Sequence, residues 1–245
     1  MAQKWILVTG GSRGIGRALV AGLGQSWNVV FTGRNERTIH DTEVELTDEQ
    51  SSHWVQGVAC DSNDETQVEN LAQDLLAKWG APEAIIHNAG IARDGLHIHQ
   101  NAALWREVLE TNVISMINWN RVLLPAMLMQ KRGSIVLMSS VSALKGNVGQ
   151  TAYAASKAAM SGIARSLALE VARFGVRVNC LAPGLIRTEM LEEIPPQKLK
   201  ELRQSIPLRR LGETDDVLQT VAFLIGDGSQ YMTGQTLVLD GGLSA

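Results

Sequence analysis

The sequence lacks the features that mark secreted and membrane-spanning proteins. Two cysteines, Cys60 and Cys180, occur in 245 residues, and both lie in apolar, strand-like runs. This placement favours buried, reduced thiols and a reducing compartment. No apolar run approaches the ~20 residues that a bilayer-spanning helix needs. A strand-like pattern begins at Lys4, so we expect no signal peptide before it and a cytosolic location.

A strong net charge is also missing. Lys and Arg total 22 and Asp and Glu total 25, which gives a formal net charge of −3. We therefore expect no general attraction to nucleic acid or to an anionic membrane. Apolar residues make up 45% of the chain and charged residues 19%, as in ordinary soluble proteins. Without repeats or low-complexity linkers, the length suits one α/β domain over residues 1–245.

Strand-like and helix-like patterns alternate from one end of the chain to the other. Continuous apolar runs are typical of strands buried on both faces, and they predict strands at residues 4–9, 28–32, 53–60, 84–87, 134–138, 176–181 and 235–239. Helical spacing of apolar residues predicts helices at residues 14–25, 65–79, 102–129 and 151–173. Strands separated by helices predict right-handed crossovers and a parallel sheet. The polar residues His53 and Gln56 place the third strand near an edge.

One segment breaks this alternation. Residues 188–207, which include Pro195 and Pro196, follow the sixth strand without a clear period. They lie at the carboxyl edge of the expected sheet, where open α/β folds bind their ligands. A mobile lid over the site is the favoured interpretation, and a plain surface excursion is the alternative.

A glycine-rich turn, residues 9–16, joins the first strand to the first helix with the spacing G-x-x-x-G-x-G. Such a unit presents free backbone N–H groups and the positive helix end to a pyrophosphate, and glycine lets the phosphate approach the backbone. Its placement at the first strand–helix junction indicates a dinucleotide site. The predicted contacts are Gly10, Ser12, Arg13, Gly14, Ile15 and Gly16.

The end of the second strand bears on the choice of dinucleotide. Enzymes that bind NAD usually carry an acidic residue about 20 residues past the glycines, bonded to the ribose 2′-hydroxyl. Here the strand ends in Thr32, Gly33 and Arg34, and Arg13 lies in the turn. Two guanidinium groups suit a 2′-phosphate, although Glu36 is close and solvated surface arginines are the alternative. The pattern favours NADP(H).

Later motifs resemble those of the short-chain dehydrogenases/reductases, in order and at family spacing over essentially the whole chain. They are Asn88-Ala89-Gly90, Asn112, Ser139-Ser140, the run from Tyr153 to Lys157, and Pro183-Gly184. Residues 88–94, 183–190 and 233–242 are most similar to the 3-oxoacyl-[acyl-carrier-protein] reductases. The resemblance implies a doubly wound, seven-stranded Rossmann fold with helices on both faces, and a homotetramer. It also implies NADPH-dependent reduction of a 3-oxoacyl thioester on acyl carrier protein.

The resemblance assigns further cofactor contacts. It places Asp61 and Ser62 at the adenine, Asn88 at the ribose side, and Ile186 and Thr188 at the nicotinamide and phosphate. The remaining implied contacts are Ala89, Gly90, Tyr153, Lys157, Pro183 and Gly184.

Four side chains form the expected catalytic set. Tyrosine has a reference pKa of about 10, and a nearby cation favours the phenolate. Tyr153 and Lys157 are four residues apart on a helix and share a face, so Lys157 is expected to bias Tyr153 and, as in the family, to hold the nicotinamide ribose. Ser140 is expected to donate a hydrogen bond to the substrate oxygen. Asn112 is carried over from the family as the link between Lys157 and a proton-relay water.

The chain departs from the family pattern at the expected carrier-docking site. Of two arginines thought to dock the acidic carrier, one position is Phe174 with Arg173 beside it, and the other region carries Lys131 and Arg132. We expect Lys131, Arg132 and Arg173 to dock acyl carrier protein. A second departure is His87, which replaces the first asparagine of a usual Asn-Asn-Ala-Gly.

Other functions remain open at this stage. A dehydrogenase for a free alcohol, sugar or ketone would use the same catalytic residues, whereas a non-catalytic NADP(H) sensor is disfavoured because Tyr153 and Lys157 are both present. His97 and His99 have metal-ligand spacing, but they lack a third ligand, so no metal site is predicted. Trp105, Trp119 and the methionines 116, 127 and 129 are predicted to fill the core or an interface.

Overall fold

The computed structural model describes residues 4–47, 52–189 and 195–245, which contain one seven-stranded sheet. The strands are β1 Trp5–Thr9, β2 Asn28–Gly33, β3 Val55–Ala59, β4 Ala84–His87, β5 Gly133–Met138, β6 Val176–Pro183 and β7 Thr236–Leu239. Their spatial order is β3-β2-β1-β4-β5-β6-β7, and every neighbouring pair is parallel. The predicted α/β Rossmann fold and the edge position of β3 are confirmed. The strand order reverses between β1 and β4, so the ligand crevice is expected at their carboxyl ends.

Helices connect the strands. They are α1 Gly14–Leu23, α2 Glu36–Leu46, α3 Glu65–Trp79, α4 Ala102–Leu109, α5 Ser115–Gln130, α6 Ser142–Lys145, α7 Thr151–Val171, α8 Pro196–Ser205 and α9 Thr214–Ile225. The sequence patterns missed α2, α6, α8 and α9. Helix α2 buries only Ile39 and Thr42, which is too little apolar surface to leave a clear period.

The stretch 102–129, predicted as one helix, is interrupted. A π-helical turn, Glu110–Ile114, separates α4 from α5. Such wide turns cost some backbone hydrogen bonding and are frequent at functional sites. The side chain of Asn112, inside this turn, makes hydrogen bonds to Ile91 and Ser156, which lie outside the turn.

The segment 188–207, predicted as a lid, contains helix α8. Residues 190–194 lie outside the described residues. Ile206, near the end of the segment, is 1% exposed, so the segment is anchored there. The lid stays a prediction.

Both faces of the sheet are covered by apolar layers. One layer packs the strands against α3, α5 and α7, with Trp119, Leu123 and Met127 fully buried. The other packs them against α1 and α9 through residues such as Leu19 and Val221. Two covered faces explain why the strands read as continuous apolar runs rather than alternating ones.

Several smaller predictions can now be compared with the structure. Cys60 and Cys180 are buried and free, as expected. Met129, predicted to fill the core or an interface, has 84% of its surface exposed and is not a core residue. Among the described residues, no helix is long and apolar enough to cross a membrane, and no group of three or more potential metal ligands occurs.

Candidate active site

Strand β1 carries the glycine-rich turn to the start of α1. Gly10 and Gly14 have positive φ angles of 66° and 52°, in the region that favours glycine. Helix α1 begins with no cap from a described side chain and no acidic residue in its first turn. A Cβ on Gly14 would meet only Thr188 Cγ2, at 3.9 Å. The uncapped helix end and the open space above it fit a pyrophosphate group.

Gly16 marks the closest contact between the turn and the helix. A Cβ at this position would lie 2.0 Å from the Gly10 carbonyl oxygen and 2.5 Å from Asn88 Nδ2. Asn88 Nδ2 itself donates to the carbonyl oxygens of Thr9 and Gly10, at 3.1 and 3.0 Å. Thr9 Oγ1 accepts from the backbone N–H groups of Asn88 and Ala89, both at 3.1 Å. Asn88 therefore joins the end of β4 to the glycine-rich turn, residues 9–16, which is called the phosphate turn below.

The end of β2 lies beside the same turn. A Cβ on Gly33 would be 2.9 Å from Ser12 Oγ, so the next residue, Arg34, leaves the sheet close to Arg13. Both arginines are exposed, and neither forms an ion pair within the described ranges, in contrast to Arg17, which pairs with Glu45. Two unpaired guanidinium groups suit an anionic group such as a phosphate.

The residues predicted at the adenine follow β3. The Asp61 carboxylate accepts a hydrogen bond from the backbone N–H of Asn63 at 3.0 Å. Ser62 is buried, and its hydroxyl accepts from Trp119 Nε1 at 3.1 Å. Its carbonyl oxygen accepts from the Asn118 side chain at 3.0 Å. The side chain and the carbonyl oxygen of Ser62 are therefore both bonded to α5, which leaves its backbone N–H for any contact with a cofactor.

Helix α7 and the end of β5 bring three of the predicted catalytic residues together. Lys157 is buried, its Nζ lies 5.8 Å from the centroid of the Tyr153 ring, and the Nζ donates to the Met138 carbonyl oxygen at 2.7 Å. A side-chain hydrogen bond joins Ser140 to Tyr153. The arrangement places a hydroxyl, a phenol and a buried amine at the carboxyl edge of the sheet.

The protonation of this group differs from the sequence expectation. Burial raises the pKa of Tyr153; the hydrogen bond with Ser140 opposes this rise, and the Asp94 carboxylate adds to it. Burial lowers the pKa of Lys157 to about 8. The pKa of Tyr153 rises rather than falls because the cost of desolvating the phenolate outweighs the opposing effects. Tyr153 therefore keeps its proton at neutral pH, as a proton donor must.

Two groups hold Lys157 in place, and neither contact was predicted from the sequence. The Met138 carbonyl accepts from its Nζ, and Ser139 Oγ donates to its backbone oxygen at 2.7 Å. Ser139 was named as part of the Ser139-Ser140 motif, but no role was predicted for it. The contact with the Met138 carbonyl could not be predicted from the sequence, because every residue has a backbone carbonyl group.

The predicted catalytic residue Asn112 lies in the π turn and is buried. Its Oδ1 accepts from the backbone N–H of Ile91 at 2.7 Å, and its Nδ2 donates to the Ile91 carbonyl at 2.9 Å. Nδ2 also donates to Ser156 Oγ at 2.9 Å. A Cβ on Gly90 would be 3.2 Å from Asn112 Oδ1 and 3.3 Å from Lys157 Nζ, so all three residues adjoin.

The loop after β6 completes the crevice. The Pro183 carbonyl accepts from the backbone N–H of Val141 at 2.8 Å, and the Gly184 N–H donates to the Leu239 carbonyl at 2.9 Å. Ile186 is buried and forms a parallel bridge with Gly212. Thr188 lies near the glycine-rich turn, since its Cγ2 would be 3.9 Å from a Cβ built on Gly14. The structure thus brings the predicted cofactor residues from the ends of β1, β2, β3, β4 and β6 to one edge.

The basic residues predicted to dock the carrier lie away from this edge. Lys131 and Arg132 precede β5, and Arg173 precedes β6, at the amino ends of the strands. Arg132 pairs with Glu83. His97 and His99 form part of a short, exposed 3-10 helix, and His97 Nδ1 lies 3.3 Å from Thr151 Oγ1.

His87 is buried in the core rather than placed in the crevice. Its Nε2 lies 2.9 Å from Asn120 Oδ1. Burial lowers its pKa to about 4, against the effect of that hydrogen bond, so the ring is neutral at physiological pH.

Comparison with known proteins agrees with this geometry. Residues 10–244 match a family model described as enoyl-(acyl carrier protein) reductase. Proteins named 3-oxoacyl-[acyl-carrier-protein] reductase FabG are similar over nearly the full length. The Thermotoga maritima protein is 35% identical over 240 residues, which cover 98% of this chain and 97% of the relative. The Chlamydia trachomatis protein is 34% identical over 245 residues, covering 100% and 98%. The Staphylococcus aureus protein is 35% identical over 243 residues, covering 98% of each.

Proposed function

Because this chain belongs to the short-chain dehydrogenase/reductase family, we propose that it reduces the ketone of a 3-oxoacyl thioester on acyl carrier protein to the 3-hydroxyacyl form, with NADPH as the reductant. The observation that carries this proposal is the convergence of Tyr153, Ser140 and Lys157 beside the open phosphate turn. The names of the relatives supply the substrate class.

The chain's own residues supply the remaining chemistry. NADPH, when bound at the crevice, supplies a hydride to the carbonyl carbon. Ser140 donates a hydrogen bond to the ketone oxygen, and Tyr153 gives its proton to the same oxygen as negative charge develops there. Lys157 places a positive charge near the phenolate that Tyr153 becomes. Asn112 makes hydrogen bonds to the backbone of Ile91 and to the hydroxyl of Ser156, and so holds these neighbours of Lys157 in place.

One competing reaction follows from the description of the matching family model, namely reduction of a carbon–carbon double bond in an enoyl thioester. The hydroxyl groups of Ser140 and Tyr153 suit reduction of a ketone better than reduction of a carbon–carbon double bond. When a ketone is reduced, its oxygen gains a proton, and both hydroxyl groups can bond to that oxygen. Oxidation of NADPH with acetoacetyl-carrier protein, crotonyl-carrier protein and a panel of free ketones separates the alternatives. Turnover of the crotonyl substrate or of free ketones alone would contradict the proposal.

We expect a strong preference for NADPH over NADH, reversed or abolished by Arg34→Asp. A charge-assisted contact with the 2′-phosphate contributes about 1.5–3 kcal/mol, so kcat/KM for NADPH should fall roughly ten- to a hundred-fold while that for NADH is little changed. Arg37→Asp is the matched control, because Arg37 is an exposed arginine three residues further on, 3.9 Å from Asp41. Equal use of both cofactors by the wild type would refute NADP(H) specificity.

The basic residues Lys131, Arg132 and Arg173 are proposed as the docking site for the acidic carrier. The two segments touch, since a Cβ on Gly175 would be 2.3 Å from the Lys131 carbonyl oxygen. They lie at the amino end of β5, whereas Ser140 follows its carboxyl end. A strand of this length spans about 20 Å. A carrier docked on these basic residues therefore needs a long arm to bring its substrate to Ser140, or it delivers the substrate to the active site of a neighbouring copy of the chain.

Reversing the charge of Lys131 and Arg173 to glutamate should raise KM for a carrier-bound substrate several-fold and leave a small thioester mimic unaffected. Added salt should have the same effect, because exposed charges are screened over roughly 10 Å. Lys145→Glu is the control, since Lys145 is exposed at the opposite, catalytic edge. A larger rise in KM for Lys145→Glu than for the Lys131 and Arg173 variant would show that the carrier docks at the catalytic edge instead.

Further predictions, made from the sequence patterns and, for the homotetramer, from the resemblance, are part of the same proposal. They are a single catalytic domain with a lid at about 188–207, a cytosolic location, and a homotetramer. Ile117 and Met129 on α5 and Leu169 on α7 are apolar and exposed, which supports a second copy covering these helices. Light scattering in solution measures the mass of the assembly directly.

A further inference from the structure

A second set of polar residues surrounds Ser140 and was not singled out by the sequence. The backbone N–H of Ser142 donates to Ser140 Oγ at 3.1 Å. Because this bond occupies a lone pair of the hydroxyl oxygen, the single hydroxyl proton of Ser140 is left to point elsewhere. The hydrogen bond between Ser140 and Tyr153 opposes the rise in the Tyr153 pKa, as expected when Ser140 donates to the phenol oxygen.

Ser142 is held in place by Gln150 and Asp94. Ser142 Oγ donates to Gln150 Oε1 at 2.9 Å, and Gln150 Nε2 donates to the two carboxylate oxygens of Asp94 at 3.2 and 3.0 Å. The amide of Gln150 has only one workable orientation, since its NH₂ must face the carboxylate and its oxygen the hydroxyl. Three separate segments, namely the loop after β4, the start of α6 and the residue before α7, are thereby joined at the catalytic serine.

We propose that Asp94, Gln150 and Ser142 are positioning residues that hold the Ser140 hydroxyl so that its single proton faces Tyr153 in the free protein and the ketone oxygen when the substrate is bound. The proposal rests on the proposed carbonyl reduction. Asp94 has a second effect, because its negative charge opposes ionisation of Tyr153. Lys157, whose Nζ is 5.8 Å from the Tyr153 ring, is a second charged group near Tyr153.

The chain has only two tyrosines, and this makes the proposal directly measurable. Tyr231 is fully exposed, so Tyr231→Phe leaves Tyr153 as the only phenol that titrates in the ultraviolet. In this background, Asp94→Asn keeps an acceptor for Gln150 but removes the charge, so the pKa of Tyr153 should fall. Gln150→Leu frees Ser142 and hence Ser140, so the pKa of Tyr153 should rise. Opposite shifts from two neighbours in one network are not expected of a purely structural role.

Gln100 provides the matched control. Its Nε2 donates to the Gly95 carbonyl at 2.7 Å, and its Oε1 accepts from Thr151 Oγ1 at 2.9 Å. It ties the same two loops together without reaching Ser140. Gln100→Leu should leave the pKa of Tyr153 unchanged. The same shift from Gln100→Leu and Gln150→Leu, or no shift from Gln150→Leu, would overturn the proposal.

Kinetics supply the second readout. Gln150→Leu should lower kcat by roughly ten- to a hundred-fold, the cost of a small misplacement of a catalytic group, with KM for NADPH unchanged. Ser142→Ala should act in the same direction, and Ser142→Thr, which keeps a hydroxyl, should restore the rate. Loss of NADPH affinity together with kcat would contradict a positioning role. The titration needs no substrate, so it decides this proposal even if 3-oxoacyl thioesters are not turned over.

Discussion

Replacing Tyr153 with phenylalanine is expected to lower kcat about 10²–10⁴-fold while leaving the fold and cofactor affinity intact. The change removes one oxygen atom and almost no volume, and the phosphate turn, Arg34 and Lys157 all remain. What is lost is the proton donor to the developing alkoxide, whose contribution is of this order in general acid catalysis. Fluorescence titration with NADPH and steady-state rates on the same preparation measure the two effects separately.

The control for this variant is Tyr231→Phe, the same change at the exposed tyrosine, which should leave kcat unchanged. Lys157→Ala provides a contrast. It removes the buried amine near the Tyr153 ring and a predicted ribose contact, so it should lower kcat and weaken NADPH binding together. A folded Tyr153→Phe protein that binds NADPH and turns over near the wild-type rate would disprove the proposed mechanism.

The elements that were predicted correctly share a simple physical origin. Strands β1, β4, β5 and β6 are buried on both faces, so nearly every side chain in them must be apolar. Helix α3, predicted with its observed bounds Glu65–Trp79, has a clear apolar stripe, with Val68, Ala72 and Leu75 buried. Where burial requires apolar residues, the apolar pattern of the sequence is enough to predict the strand or helix.

The missed elements depend on other forces. Helix α2 is capped by Asn35, whose side chain accepts from the backbone N–H of Thr38 at 3.0 Å, and the surface of the helix is mostly exposed. The π turn at Asn112 depends on bonds to Ile91, which is 21 residues away. Such long-range bonds have no periodic pattern in the sequence.

The candidate site, like the fold, has parts that the sequence predicted and parts that it did not. Glycine, tyrosine and lysine at fixed spacings predicted the turn and the core of the catalytic set. The direction of the Tyr153 pKa shift was predicted wrongly, because it depends mainly on burial and also on Asp94, which is far from Tyr153 in the chain. The partners of Ser140 were missed because Asp94, Gln150 and Ser142 come from three loops that only the fold brings together.

Substituting alanine for Gly16 is expected to abolish useful NADPH binding. The added Cβ would lie 2.0 Å from the Gly10 carbonyl oxygen, and a backbone atom cannot turn aside as a flexible side chain can. The turn must therefore separate from α1, which costs about 1–3 kcal/mol of strain. It also misplaces the N–H groups that meet the pyrophosphate, each charge-assisted bond contributing about 1.5–3 kcal/mol. Together these losses correspond to more than about a hundredfold in affinity.

Gly162→Ala, in helix α7, is the matched control because a Cβ there meets nothing within 4 Å. Alanine is favoured over glycine by about 1 kcal/mol inside a helix, so this variant should be slightly more stable and should bind NADPH normally. Thermal melting with and without cofactor tests both variants, since a ligand that binds only the folded state raises Tm. The wild type and Gly162→Ala should show this rise, and Gly16→Ala should not. A normal rise for Gly16→Ala would mean that the pyrophosphate does not bind at this turn.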